Sequence, residues 1–552
     1  MKSFTLKLKY KVDGRSYTAT ATENEHFALK LRRKGHCLSA QITPKTPLQI
    51  TDFTLQTHYV YNSKSRIFAN GYQSWTDSME YTPQQKMSEL SKLTEAYMRN
   101  PLIAARLGFN RSGDLTFHKY PRTPGIFYGW SFGYVRDGER VDLFGSLSER
   151  SGYTCLTFDS NRSRIYISKE LDGKTFDQTS ELLSLFTMSG GYDEVFDAYF
   201  AEMGTPACRF GKMNGYTTWY NYYGNIESRQ VSRDLTNLAE LGEPVDCFQI
   251  DDGYQAAIGD WLITDTEKFP QGMKAVADDI HARGMKAGLW LAPFAGVKKS
   301  VLFQNHPDWF IHGKNGKPYC TGPNWGGFYS LDIYNPGARD YLHHVFDVVL
   351  NEWGYDMVKL DFLYGACVLP MHNKTRGEIM CDAMDLLREC CGDKIILGCG
   401  VPLMPAFGKV DYCRIGADIC LNWVQRKNVP REDVSTPHAI CNSIFRRCLD
   451  GRAWRNDPDV FLLRDDNIQM DFDQRKLLAK INSTFGSLLF ISDNVGDYTP
   501  AQKEALHEAF RAKKINILSA ELISDTVMRT EFEEDGQKIT LQFDIHNGRL
   551  VN

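Results

Sequence analysis

The chain has no glycine-rich phosphate turn: neither a GxGxxG nor a Walker A sequence occurs in its 552 residues. That removes the usual reason to read alternating strands and helices as a nucleotide-binding doubly wound sheet. Its 14 cysteines include no CxxC pair. Neither they nor the isolated histidines (His281, His306, His343, His344) fall at ligand spacing, so no metal and no cofactor are expected. The net charge of −4 offers no basic excess for nucleic acid. No stretch approaches the roughly 20 apolar residues of a membrane span. Met1-Lys2-Ser3-Phe4-Thr5-Leu6-Lys7 lacks the apolar centre of a secretory leader. The expectation is a cytoplasmic protein with mostly free, buried thiols and no nucleic-acid or membrane partner. Internal repeats and low-complexity linkers are absent as well.

What is present is ordinary globular composition, 24% charged and 42% hydrophobic, with a high aromatic share of 12%. A chain this long divides into two or three domains. Residues 1–205 read as an antiparallel β-sandwich. Phe4, Leu6, Leu8, Tyr10 and Val12 alternate with Thr5, Lys7, Lys9 and Lys11, and similar runs recur at Phe53–Tyr61 and Arg164–Ser168. One helix is expected within Pro83–Arg99. Over 206–514 short apolar runs alternate with amphipathic helices. The predicted strands are Gly215–Tyr222, Asp246–Asp251, Lys286–Ala292, Asp356–Asp361, Lys394–Cys399, Asp411–Ile415, Val460–Leu463 and Leu488–Ser492. Predicted helices include Met273–Arg283, with Gly284 at its end, and Pro336–Trp353. Eight such units over about 300 residues point to a (β/α)8 barrel. Residues 515–552 return to alternation (Ile539, Leu541, Phe543, Ile545) and read as a small C-terminal β domain.

In such a barrel, chemistry collects at the C-terminal ends of the strands. The second strand ends in Asp251-Asp252-Gly253-Tyr254, where two acceptors suit two sugar hydroxyls or simply cap a turn. Trp290, near the end of the third, is a stacking wall or a core residue. On the fourth, Lys359 and Asp361 are two apart and share a face. The cation favours ionised Asp361, the form a nucleophile needs; the alternative is a structural salt bridge. After the sixth come Arg414 and Asp418. A partly desolvated Asp418 could protonate a leaving oxygen, with Arg414 free to bind substrate; tight Arg414–Asp418 pairing would oppose that role, and a helix N-cap is the plain alternative. Cys399, between small residues, reads as a compact hydrophobe rather than a nucleophile, since no histidine partner is suggested. Two carboxylates so placed are the minimum for cutting a glycosidic bond.

Asn70-Gly71-Tyr72-Gln73-Ser74-Trp75, Asp251-Asp252-Gly253-Tyr254, Lys359-Leu360-Asp361 and Arg414-Ile415-Gly416-Ala417-Asp418 together resemble the family-36 glycoside hydrolases, chiefly α-galactosidases. The resemblance implies a retaining double displacement with Asp361 as nucleophile and Asp418 as general acid/base. It implies that Asp251 and Asp252 bind the galactose 4- and 6-hydroxyls and that Lys359 and Arg414 hold other hydroxyls. Trp75 would close the pocket, Trp219, Tyr220 and Trp290 would line it, and Cys399 and Gly400 would lie near the 2-position. Gly398-Cys399-Gly400-Val401-Pro402 is more compact than the Cys- and Gly-rich run of longer members. The expected substrate is a small carbohydrate of the melibiose or raffinose type. The competing readings are an α-N-acetylgalactosaminidase of the same mechanism, a galactosyl-transferring enzyme, and a catalytically silent sugar-binding protein. Self-assembly into a homo-oligomer is left open.

Overall fold

The computed structural model describes residues 4–551 except 89, 91, 101, 102, 105, 107–110, 121 and 424–429. Two seven-stranded antiparallel sheets build the N-terminal sandwich. Thr5–Val12 shows why: its residues are alternately exposed and buried along the whole strand, so one face must be covered. The helix foreseen within Pro83–Arg99 is confined, among the described residues, to Lys92–Arg99. A helix, Tyr192–Met203, then leads to the barrel.

The expected multidomain architecture is the observed one. Eight parallel strands lie side by side: Met213–Thr217, Cys247–Ile250, Lys286–Leu291, Met357–Leu360, Ile395–Gly398, Tyr412–Arg414, Arg455–Asp457 and Leu488–Ile491. Strand one pairs with strand eight. Strands seven and eight meet through the Ser487 amide on the Asn456 carbonyl (2.8 Å), and Phe461 N on Phe490 O (3.2 Å) completes the seam. A four-stranded antiparallel sheet, Ile515–Leu550, ends the chain.

Four expectations need correction. The seventh strand is the polar Arg455–Asp457, not Val460–Leu463. That apolar run is fully buried, but Pro458 and Asp459, with φ +76°, break the chain before it, so it packs as an irregular segment. The first strand stops at Thr217, and Trp219–Tyr222 forms a helical turn instead. Pro336–Trp353 is α-helical only to Asp347, and Val348–Glu352 widens into a π turn. The fifth crossover also differs from the eight regular units expected, holding only the single turn Met404–Ala406. The linking helix fills the gap: Phe200 packs on Phe407, with ring centroids 5.3 Å apart.

One buried side chain gathers several of the contacts between the sandwich and the barrel. Arg446, fully buried after the helix Thr436–Phe445, donates to Asn70 Oδ1 (3.1 Å) and to the carbonyls of Ser74 (2.6 Å), Gln73 (3.1 Å), Gly71 (3.4 Å) and Ile415 (2.7 Å). The first four belong to the 70–75 segment; Ile415 directly follows strand six. Arg446→Met strands five buried acceptors. It should lower unfolding stability by at least about 3 kcal/mol, measured as a fall in denaturant midpoint; a loss under about 1 kcal/mol would show that water replaces the clamp.

Candidate active site

A cavity of about 480 Å³ opens at the C-terminal ends of the strands, within the ~300–1,000 Å³ typical of small-molecule sites. Its walls bring together Asp251, Asp252, Trp290, Lys359, Asp361 and Asp418 with Trp219 and, from the sandwich, Trp75. Tyr220, Cys399, Gly400 and Arg414 are outside this lining; Cys399 and Gly400 contact Trp75, Arg414 pairs with Asp418, and Tyr220 bonds Asp459 behind them.

At the end of strand two the chain turns at Gly253. Its φ is +124°, and an added Cβ would lie 2.8 Å from the Gly224 backbone, so both conformation and space require glycine. The turn lets both aspartates face the mouth. Asp251 accepts from Lys359 Nζ (2.7 Å) and Gln249 Nε2 (3.1 Å). Asp252 accepts from Gln255 Nε2 (2.6 Å) and Trp325 Nε1 (2.9 Å). Burial raises the Asp252 carboxyl above the usual range, against the pull of those two donors.

The expected Lys359–Asp361 ion pair does not form. Lys359 lies on strand four opposite Trp290, and its ammonium bonds Asp251 across the barrel. Strand four ends at Leu360, so the pleat no longer fixes Asp361 beside Lys359. Asp361 instead accepts from Trp290 Nε1 (3.1 Å) and from the Phe362 amide (2.8 Å). Phe362 adopts φ +55°, a strained conformation for an aromatic residue that sits directly beside this carboxylate. Burial pushes the Asp361 carboxyl up; the Lys359 charge and donors from Cys399 and Trp290 pull it back, while Asp418 opposes them.

Asp418 lies beyond strand six and caps no helix. Its side chain is 37% exposed, and its Oδ1 is 2.9 Å from Arg414 Nη2. The same Nη2 is 3.1 Å from Asp459 Oδ2. Arg414 is buried, and its guanidinium serves two carboxylates. Tyr220 donates to Asp459.

Trp75 reaches in from the sandwich. Its indole donates to Cys399 Sγ (3.3 Å) and crosses Phe362 edge-on at 5.3 Å. It rests on Gly400, whose φ is +56°. Sequence reasoning missed Trp325, Phe362, Asp459 and the Glu432–Val434 segment. Trp325 comes from the three-stranded excursion after strand three; an isolated Trp in a Gly-rich loop was the available signal. Glu432, also in the wall, accepts from Thr76 (2.9 Å), and burial with Asp114 nearby pushes its carboxyl up to about 7.

Residues 216–374 match the Melibiase family model. The first half of the barrel is similar to a Melibiase domain. The resemblance to family-36 glycoside hydrolases holds. An Escherichia coli alpha-galactosidase is 34% identical over 151 residues, 26% of this chain and 20% of that protein. The chain spans between 13% and 38% of the length of the curated relatives it matches. Among solved structures, the alpha-galactosidase TtGalA of Thermus thermophilus, in complex with stachyose, superposes with TM-score 0.69 at 25% identity, covering 88% of this chain and 99% of that one. The GH36 alpha-galactosidase AgaA of Geobacillus stearothermophilus superposes with TM-score 0.59 at 12% identity, over 95% of this chain and 80% of that one. The Melibiase match spans strands one to four and so includes Asp251, Asp252, Lys359 and Asp361, while Asp418 lies beyond it.

The contact between Trp75 and Gly400 is testable. A Cβ at Gly400 would lie 2.8 Å from the indole, and the left-handed backbone would be strained as well. Gly400→Ala should cost more than about 1 kcal/mol of stability and raise KM more than it lowers kcat, because Trp75 must move; an unchanged KM would show that this wall does not touch substrate.

Proposed function

We propose that this chain is a retaining, exo-acting α-galactosidase that removes terminal α-galactosyl residues from small galactosides of the melibiose or raffinose type. One observation carries the reading: Asp361 and Asp418 line a single cavity in unlike surroundings. Asp361 is buried and accepts hydrogen bonds from Trp290 and the Phe362 amide, whose donors support a carboxylate against the rise that burial gives it. Asp418 lies in the same lining but is partly exposed and reachable by water. The named activities of the Escherichia coli and Thermus thermophilus proteins support the same reaction class.

In the first step a carboxylate oxygen of Asp361 bonds to the anomeric carbon, the glycosidic C–O bond breaks, and Asp418 gives its proton to the departing oxygen. In the second step Asp418 takes a proton from water, the water oxygen bonds to the anomeric carbon, and the ester to Asp361 breaks. Asp251 and Asp252 hold the 4- and 6-hydroxyls and Lys359 serves another; the hydroxyl contact expected of Arg414 is replaced by its pairing with Asp418 and Asp459. Trp219, Tyr220 and Trp290 shape the walls. The reaction as written calls for no metal or cofactor, and the partner is a small carbohydrate. Trp75 lies against both Cys399 and Gly400, and this compact wall favours a 2-hydroxyl over the bulkier acetamido group of an N-acetylgalactosaminide. A silent sugar-binding protein would need neither carboxylate in this arrangement.

Azide rescue tests the two roles. Asp361→Gly should abolish turnover, and azide should restore it with β-galactosyl azide as product. Asp418→Gly should lose about 10²–10⁴-fold on substrates with poor leaving groups, suffer least on nitrophenyl galactoside, and yield the α-azide. Products of the opposite anomeric form would exchange the two assignments.

A further inference from the structure

A guanidinium beside a carboxyl favours its ionised form, and the group cast here as the proton donor has the Arg414 guanidinium 2.9 Å away. The structure contains a compensating group. We infer that Asp459 is a positioning residue that sets the proton affinity of Asp418 by sharing the Arg414 guanidinium; the inference rests on the acid/base reading of Asp418.

The geometry is specific. A single nitrogen, Arg414 Nη2, lies 2.9 Å from Asp418 Oδ1 and 3.1 Å from Asp459 Oδ2. Asp459 is 5% exposed, and Arg414 is buried beside it, so their attraction is little screened by solvent. The carboxylate oxygen of Asp459 that faces Arg414 also accepts from the Tyr220 hydroxyl and from the amide of Ile419 (2.9 Å). Ile419 directly follows Asp418, so Asp459 fixes the backbone of the acid while it competes for the acid's cation. Burial raises the Asp459 carboxyl, and the Arg414 charge with the Tyr220 and Ile419 donors pulls against that rise.

Asp459 is held in place by its own loop. Its φ is +76°, its amide donates to Asp457 Oδ1 (2.8 Å), and Asn482 Nδ2 donates to its carbonyl (3.1 Å). A non-glycine residue kept in the left-handed region is maintained by its surroundings, and here those surroundings aim one carboxylate at Arg414. The other titratable groups that face Asp418 and Arg414 come from every side of the barrel. They are Tyr220 and Tyr223 after strand one, Lys359 and Asp361 at strand four, Cys399 after strand five, Cys413 on strand six, and Asp457 at the end of strand seven. Lys359 is engaged by Asp251. Among the described residues Arg414 is the cation within ion-pair reach of Asp418, and Asp459 is its competitor.

The test is the pH profile of kcat/KM for the wild type, Asp459→Asn and Tyr220→Phe, each on nitrophenyl α-galactoside and on an unactivated galactoside. Asparagine tolerates the left-handed backbone, so the substitution removes charge and not conformation. Asp459→Asn removes an anion and leaves Arg414 to Asp418 alone. The basic limb should move down by about 1 unit or more, and at neutral pH the unactivated substrate should lose about tenfold more than the nitrophenyl one. Tyr220→Phe removes a donor from Asp459, strengthens its hold on Arg414, and should move the basic limb up. A basic limb that stays at its wild-type position in Asp459→Asn, with both substrates impaired equally, reduces Asp459 to a structural role and overturns the inference. If Asp459→Asn does not fold, an unmoved limb in Tyr220→Phe overturns it. Asp418→Gly separates this failure from failure of the acid/base reading. A basic limb that persists there removes Asp418 as the acid; a limb that vanishes there but stays unmoved in Asp459→Asn rejects the positioning role only.

Discussion

The mouth of the barrel holds more carboxylates than cations, and burial makes all but the partly exposed Asp418 depend on a partner. Asp251, Asp252, Asp361, Asp418, Asp457 and Asp459 crowd the strand ends around Lys359 and Arg414. Each cation is committed: Lys359 bonds Asp251, and Arg414 is divided between Asp418 and Asp459. Asp252 and Asp361 are left to neutral donors, chiefly the Trp325, Gln255 and Trp290 side chains. Two acids of identical chemistry thereby sit in unlike surroundings, Asp361 among neutral donors and Asp418 beside a shared guanidinium.

The sandwich is part of this arrangement. Trp75 reaches the cavity because Arg446 ties the 70–75 segment to the barrel directly beside strand six, and because Gly400 leaves the space that the indole occupies. The missing fifth helix gives the sandwich a place to sit: the Ser74 amide bonds the Val401 carbonyl (2.9 Å) just after strand five. Trp75, Cys399 and Gly400 therefore form one wall built from two domains. A shift between the domains would be felt first there.

Much of the fold was legible in the sequence because barrel strands are buried on both faces and read as short apolar runs; seven of the eight were placed correctly within a few residues. The exception, Arg455–Asp457, is polar. Its Asn456 satisfies the Trp454 indole (3.0 Å) and the Arg446 carbonyl (3.2 Å) rather than packing, and no hydrophobic period could mark it. The residues gathered at the cavity were legible through their position at strand ends. Their pairing was not. Two residues on one strand seemed natural partners, yet Lys359 bonds across the barrel to a residue 108 positions away. Asp459 was invisible for a similar reason, since a loop aspartate beside proline looks like a turn until the barrel closes and sets it against Arg414.

The central claim is that Asp361 and Asp418 flank one anomeric carbon. A crystal structure of the protein with bound galactose measures this directly. The account predicts the sugar in the cavity beneath Trp75, with the two carboxyl groups on opposite sides of its anomeric carbon and about 5–5.5 Å apart. Galactose seated elsewhere, or carboxyl groups separated by about 6.5–9.5 Å with a water between one of them and the sugar, would contradict it.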